Sequence, residues 1–519
     1  MFYEKICIII LSACVISKLE AARILGVFPT PSISHQVVFQ PLMKELVNRG
    51  HEVVVITTDP IYPSGEGPKN LTEIDLHDIS YNIWTKLIKS GEFNVGDPRY
   101  QAEIAFKNIA LVFEKQMKTP LVQKLLNDKN NNFDLVFTES CIKLSLVFSY
   151  LYKAPLIEIS SLGGLYGSFD GIVSPIHPLL YPIANQQKTY QLSMWEKIYQ
   201  LYVYYGIGSA YQNLEKMENN LLKTLFGPNT PDLQDLKKNV DMLFLNIHSV
   251  WDFNRPVPPN VLYLGGLHLQ RKPVKELPKD LKNFLDSSSE GVIYMSFGTN
   301  VSPSALPAET IKIITNVFSD LPYKILWRWD SDKIPKHSKN VLISKWFPQS
   351  DLLGHPNIKL FVTQGGLQST DEALTAGVPL VVIPMLGDQW YNAEQYQYHG
   401  IGKKLLIEDL DEISFKETIL SVISNSSYRE NVVRLRKIMR DEKQTPLEKA
   451  VWWTEYVIRH KGAAHLRARG AHMPWTEYYE INLIIVLISI FFIVIAVLVV
   501  TLKLIISQLN FVAVKRKLN

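Results

Sequence analysis

Two groups of residues in this chain carry side chains whose types and spacing suggest joint chemistry. The first lies in FVTQGGLQSTDEALTAGVPLVVIPMLGDQ, Phe361 to Gln389. Here Gly365 and Gly366 sit between a strand and a helix, so unpaired N–H groups and the positive end of a helix dipole converge on one point. That arrangement suits a diphosphate. Gln364, Glu372 and the pair Asp388 and Gln389 form three polar stations on one rim of a parallel sheet, where such folds bind ligands. An ordinary buried strand–helix–strand unit explains the apolar runs but not those three stations together. The second group is His35, with Glu139 as a carboxylate at another strand end. A helix N-terminus disfavours the imidazolium, which keeps a ring at that place neutral and able to take a proton near neutral pH. The alternatives are a capping or loop histidine and an exposed charge at a strand end.

The elements that must position these residues follow from hydrophobic pattern and breakers. Ile358 to Thr363 reads as a buried strand and Val378 to Ile383 as the next. The helix between them is expected to be capped by Ser369 or Thr370, with Asp371 and Glu372 in its first turn and Gly377 at its end. Earlier in the chain, Ile24 to Phe28 is a strand, PTPSISHQ a loop, Val37 to Arg49 a helix and Val53 to Thr57 a strand. His35 therefore falls between strand and helix. Phe133 to Thr138 is a strand with Glu139 at its end, and Met242 to Asn246 is another. Gly291 to Met295 leads into the turn Ser296-Phe297-Gly298-Thr299. Val341 to Ser344 leads to Trp346 and Gln349, a flat apolar face for a base and an amide able to pair with a uracil edge; core packing is the alternative for Trp346. Long helical stretches between residues 80 and 130 and between 161 and 239 are rich in aromatics, which suits either an apolar pocket or plain core. A proline-spaced stretch, 251–284, reads as an interdomain linker.

The Phe361–Gln389 stretch resembles, element by element, the signature of the UDP-glycosyltransferase family, in its insect-like form. The match fixes more than ten positions over twenty-nine residues. Vertebrate members carry His where this chain has Gln364. The resemblance implies two facing Rossmann-like domains of the GT-B type. It also implies that Gln364 and the amides of Gly366, Leu367, Gln368 and Ser369 hold a diphosphate, Glu372 the ribose, and Asp388 with Gln389 the sugar hydroxyls. Ser296 and Thr299 would contact the phosphates across the cleft, and Trp346 with Gln349 the uridine. By the same resemblance His35 is the general base and Glu139, where the family commonly has Asp, orients it. The helix dipole and this carboxylate push the His35 pKa in opposite directions. The implied reaction is inverting transfer of a hexose, expected to be glucose, from a UDP-sugar co-substrate to a hydroxyl of a small lipophilic acceptor. A UDP-glucuronate-using transferase and a catalytically silent lipophile-binding membrane protein are the alternatives. No cofactor or metal is expected; Asp330-Ser331-Asp332 reads as a surface turn rather than a metal motif.

The expected domains are 23–250 for the acceptor and 285–446 for the UDP-sugar, followed by a returning helix and juxtamembrane segment, 447–480. With 519 residues and 47% hydrophobic content the chain exceeds one ordinary core. A net charge of +4, from 54 basic and 50 acidic residues interleaved along the chain, excludes a nucleic-acid partner. Residues 1–22 have the lysine, apolar core and small C-terminal residues of a signal peptide. That leaves Cys141 as a single cysteine after cleavage, read as a small buried hydrophobe. The segment 481–502 is long and apolar enough to span a bilayer, and 503–519 is a basic tail. Together these imply a single-pass type I protein of the endoplasmic reticulum, with lumenal catalytic domains and a cytosolic tail, open to homo-oligomerisation. Asn70 and Asn425 are expected glycosylation sites, whereas Asn300, next to the Ser296–Thr299 turn, is expected to stay unmodified.

Overall fold

The computed structural model describes residues 21–90, 97–170, 172, 177–269 and 276–518. The expected signal peptide, with Cys7 and Cys14, lies outside the described residues except for Ala21 and Ala22. Two wholly parallel sheets organise the rest. The first comprises β1 Arg23–Phe28, β2 Glu52–Thr57, β3 Leu71–Asp75, β4 Leu135–Glu139, β5 Leu156–Ser160, β6 Val240–Leu245 and β7 Val261–Tyr263, in spatial order β3-β2-β1-β4-β5-β6-β7. The second comprises β8 Val292–Ser296, β9 Lys324–Arg328, β10 Val341–Ser344, β11 Ile358–Thr363, β12 Leu380–Val382 and β13 Gly402–Lys404, in order β10-β9-β8-β11-β12-β13. Helices cover both faces, so the inner strands are buried throughout and largely apolar: every residue of VDMLFL in β6 and of VIYMS in β8 is buried.

In each sheet the strand order reverses once, between β1 and β4 and between β8 and β11. The neighbouring strands are in register there, Val27 opposite Thr138 and Ser296 opposite Thr363. Connections leave such a pair of strands in opposite directions, which opens a crevice beyond their carboxyl ends. The chain places both groups of polar residues at these two crevices.

Two helix starts differ from expectation. Helix α1 spans Ile33–Asn48, four residues earlier than the apolar period suggested, because its first turn is polar and faces the cleft. Helix α2, Pro98–Met117, and helix α3, Met194–Phe226, form the aromatic-rich cover of the first domain. Helix α4, Leu367–Ala376, is capped by Gly366 rather than by Ser369 or Thr370, and its first turn holds no acid. Thr370 instead turns inward and bonds Tyr396, while Asp371 is buried. Gly377 ends the helix in the left-handed region as expected. Helix α5, Gln389–Tyr398, follows β12.

The stretch read as an interdomain linker opens within a helical turn, Ser249–Asp252, and contributes the strand β7, which pairs with β6. Its three apolar residues among prolines were too few to register as a strand. Helix α6, Pro446–His460, opens with a capping box between Thr445 and Glu448 and returns to the first domain. Its Ala450, Val451 and Val457 share one core with Ile24, Leu42 and Val53. Glu455 on its buried side accepts two hydrogen bonds from Arg49, at 2.5 and 3.1 Å. Last comes α7, Ile481–Leu518, exposed over residues 482–514 and apolar enough to cross a membrane over Ile481–Val514. It continues through the residues expected to form a separate tail, since no proline or glycine interrupts it.

Candidate active site

His35 is the third residue of α1, and its Nδ1 lies 2.6 Å from Oε1 of Glu139, the last residue of β4. The Glu139 side chain is 1% exposed, which rules out a solvated strand-end charge. Its other oxygen accepts the Thr30 N–H at 3.3 Å, and the Cys141 thiol donates to Oε1 at 3.3 Å. A carboxylate so held makes Nδ1 the protonated nitrogen and leaves Nε2 with a free lone pair. Cys141 thus belongs to the wall of the site rather than to plain core. Burial raises its thiol well above the ordinary range, so it serves as a hydrogen-bond donor and not a nucleophile. His35, Glu139 and Cys141 present ligand-type atoms within 4.8 Å of one another. However, 2.6 Å is the length of a charge-assisted hydrogen bond, and His35 and Glu139 satisfy each other.

The second domain supplies the facing wall. Gln364, at the end of β11, is buried, and its amide lies against both glycine turns. A Cβ at Gly298, whose φ is +64°, would come within 2.2 Å of Gln364 Nε2; one at Gly365, φ +91°, would meet Val382 at 2.7 Å. Only glycine fits either place. Ser296 is buried and its Oγ accepts the Gly298 N–H at 3.3 Å, while Thr299 is exposed. Leu367 is buried in the first turn of α4, and the Gln368 side chain donates across the cleft to the Ser161 carbonyl at 2.9 Å.

Farther along the crevice, Gln349 donates to Ser369 at 2.9 Å and to Glu372 at 2.6 Å, and accepts the Tyr294 hydroxyl at 3.0 Å. Burial raises the Glu372 carboxyl above the usual range, opposed by the Gln349 hydrogen bond. Trp346 is 61% exposed, so it is not core, and the Arg328 guanidinium lies 5.4 Å over its ring. Asp330, part of the acidic turn, is engaged by Ser302 and Ser304 instead of facing this crevice.

Asp388 precedes α5 and faces the first domain. Burial raises its carboxyl to about 6, opposed by a hydrogen bond from Asn392 and by the charge of His35. His35 of the first domain and Asp388 of the second line one cavity. Gln389 fixes the adjoining loop by accepting the N–H groups of Met385 and Leu386, at 2.9 and 2.8 Å. This leaves the NH₂ end of its amide for a ligand. A cavity of about 200 Å³ joins His35, Asp388 and Gln389 to the apolar residues Ala102, Phe106, Ile109 and Leu162.

Three contributors were not anticipated. Asn392 Nδ2 donates to Asp388 at 2.9 Å and to the Gly365 carbonyl at 2.8 Å, while its Oδ1 accepts Trp251 Nε1 at 3.0 Å. Its place four residues after Asp388, on the same helix face, was the available signal. Asn300, noticed only as a sequon, lines the cavity and donates to Ser32 at 3.3 Å. Arg328 ends a strand at the same rim.

This architecture, two Rossmann-like domains each built on a parallel sheet, is that of the GT-B glycosyltransferases. Solved structures match it. The glycotransferase of kitacinnamycin has a TM-score of 0.55 at 19% identity, covering 85% of this chain and 99% of that one. UGT89C1 of Arabidopsis thaliana, complexed with UDP-L-rhamnose, has a TM-score of 0.57 at 15% identity with the same coverage. At the sequence level, the profile of the UDP-glucoronosyl and UDP-glucosyl transferase family matches residues 23–517, and the chain belongs to that family. It is 37% identical over 506 residues to an ecdysteroid UDP-glucosyltransferase of Spodoptera littoralis nuclear polyhedrosis virus, covering 94% of this chain and 98% of the relative. With UDP-glucosyltransferase 2 of Dactylopius coccus it shares 30% identity over 507 residues, 94% of each chain. The protein is a UDP-glycosyltransferase.

Proposed function

We propose that the protein transfers glucose from UDP-glucose to a hydroxyl of a lipophilic acceptor, with inversion to the β-glycoside. The carrying observation is the opposition of His35, oriented by Glu139, and Asp388 across the cleft. In this reading the acceptor lies on the apolar wall of α2 and presents its hydroxyl to His35 Nε2. His35 removes the proton as oxygen attacks the anomeric carbon, and Glu139 stabilises the imidazolium that forms. Trp346 and Gln349 hold the uridine, Glu372 the ribose, and Asp388 with Gln389 the glucose hydroxyls. Gln364, Ser296, Thr299 and the amides of residues 366–369 receive the charge that develops on the leaving UDP.

Glucose is favoured over glucuronate because no lysine or arginine appears among the described residues lining the cavity to meet a sugar carboxylate. A sterol-like acceptor is supported by the apolar wall and by the ecdysteroid relative. We further read α7 as the anchor of a type I protein of the endoplasmic reticulum, with both domains lumenal. Of the expected glycosylation sites, Asn70 already gives its amide to the Val47 and His51 carbonyls, which leaves the exposed Asn425 as the favoured acceptor.

The test is UDP release by the full chain and by His35→Ala, with UDP-glucose and UDP-glucuronate offered separately against phenols and sterols. Turnover with UDP-glucose alone, reduced about a hundred- to ten-thousand-fold in the variant while UDP still binds, is the expected result. Turnover with UDP-glucuronate alone would reverse the donor assignment. Firm UDP binding without turnover on either donor would instead favour the silent lipophile-binding reading.

A further inference from the structure

At the edge of the first sheet opposite the cleft, where β5 and β6 begin, an open cavity of about 480 Å³ is lined by Lys153, Lys238, Asn239, Asp241, Lys461 and Arg467. Asp241 is engaged in structure: it accepts the Ala463 N–H at 2.8 Å and the Leu156 N–H at 3.2 Å, and lies 3.8 Å from Arg467. Lys238 pairs with Asp235 on the exposed surface, where such a contact holds a cation only weakly. Among the described residues Lys153 and Lys461 have no carboxylate partner. Arg467 donates from Nη2 to the Val240 carbonyl at 2.9 Å, yet its buried Nε has no partner. Lys153 and Lys461 also close the C-terminal ends of two helices. With Asp241 and Asp235 one negative charge each and each helix end about half of one, the four cations remain in excess by about one.

The position of this cavity gives the excess charge a partner. His472 lies five residues after Arg467 in the chain and feels the charges of Arg467 and Lys238, which both line the cavity. Trp475 follows three residues later, at most about 10 Å along the chain. Trp475, Tyr478 and Tyr479 are all exposed immediately before α7. Tryptophan and tyrosine concentrate at the level of lipid headgroups. We propose that this cavity binds a phosphate group, supplied by the headgroup of a membrane phospholipid or by inorganic phosphate. The membrane placement rests on reading α7 as an anchor; the charge chemistry does not, and neither depends on the transferase reaction.

The experiment follows thermal unfolding of the full chain in an uncharged detergent by tryptophan fluorescence. Dihexanoyl phosphatidic acid and inorganic phosphate are titrated separately, at ionic strength matched with potassium chloride. The expected result is a saturable rise in Tm. Its half-point should move at least tenfold higher in Lys153→Gln/Lys461→Gln and stay in place in Lys312→Gln, a surface lysine of the second domain. Both cavity lysines are exposed, so the Tm without phosphate should fall by no more than a few degrees, from the loss of their charges at the two helix ends, and Lys461→Arg should retain the effect. Saturation by phosphatidic acid alone assigns the headgroup, whereas equal saturation by inorganic phosphate assigns the free ion. No saturable rise with either, or a rise unchanged in the double variant, overturns the proposal.

Discussion

Asp388 has a carboxyl raised by burial to about 6, against about 4 for a free aspartate. Between those values the folded protein binds a proton that the unfolded chain does not. The group therefore favours folding below about pH 4 and loses that contribution as pH rises through about 6. On the role proposed for Asp388 the sign reverses for donor binding, because a sugar hydroxyl needs the ionised acceptor. The affinity for UDP-glucose, measured by titration calorimetry, should fall several-fold from pH 7.5 to 5. In Asp388→Asn it should be weaker and nearly flat with pH, while the Tm of this variant without donor gains more over wild type at pH 8 than at pH 4. At this scale much of the site was legible in the sequence: His35, Glu139, Gln364 and Asp388 all reach the cleft. What escaped were side chains acting through others. Asn392 and Cys141 touch Asp388 and Glu139 from four and two residues away, and such a short spacing gains meaning only once the carboxylate beside it is placed in the cleft.

The glycine turns set what the elements can do. Gly365 adopts φ +91° and a Cβ there would press on Val382, so the carboxyl end of β11 and the start of α4 can meet only through glycine. Gly365→Ala should destabilise the protein by about 2–3 kcal/mol from backbone strain and crowding. It should also weaken UDP binding, and denaturant unfolding with and without UDP reads both effects. Strand cores were legible because buried parallel strands are continuous apolar runs. The starts of α1 and α4 were not. The first turns of α1 and α4 direct polar residues or backbone into the cleft, so apolar periodicity begins only where each helix reaches the core, and a glycine cap such as Gly366 carries no side-chain signal.

Between the domains, Trp251 donates to Asn392, Gln368 to Ser161 and Asn300 to Ser32. Trp251→Phe replaces the buried indole by a smaller phenyl ring, which leaves a small void and, with the N–H gone, the Asn392 carbonyl unpaired. It should cost about 1–3 kcal/mol in chemical denaturation and raise the KM for UDP-sugar more than it lowers kcat, since Asn392 also holds Asp388 and the Gly365 carbonyl. The two-domain plan was legible from length and from the repeated strand–helix pattern, but the seventh strand of the first sheet was not, hidden among prolines. The helix that returns to the first domain has a further consequence, in the order of synthesis. Its Ala450, Val451 and Val457 complete the core around Ile24 and Val53, yet they leave the ribosome roughly 200 residues after β7. At about 5–20 residues per second the first domain waits some 10–40 seconds with an apolar groove uncovered. The earliest-made half of the molecule is thus finished last, moments before α7 emerges, and nascent chains ending before residue 446 should be the ones that bind chaperones.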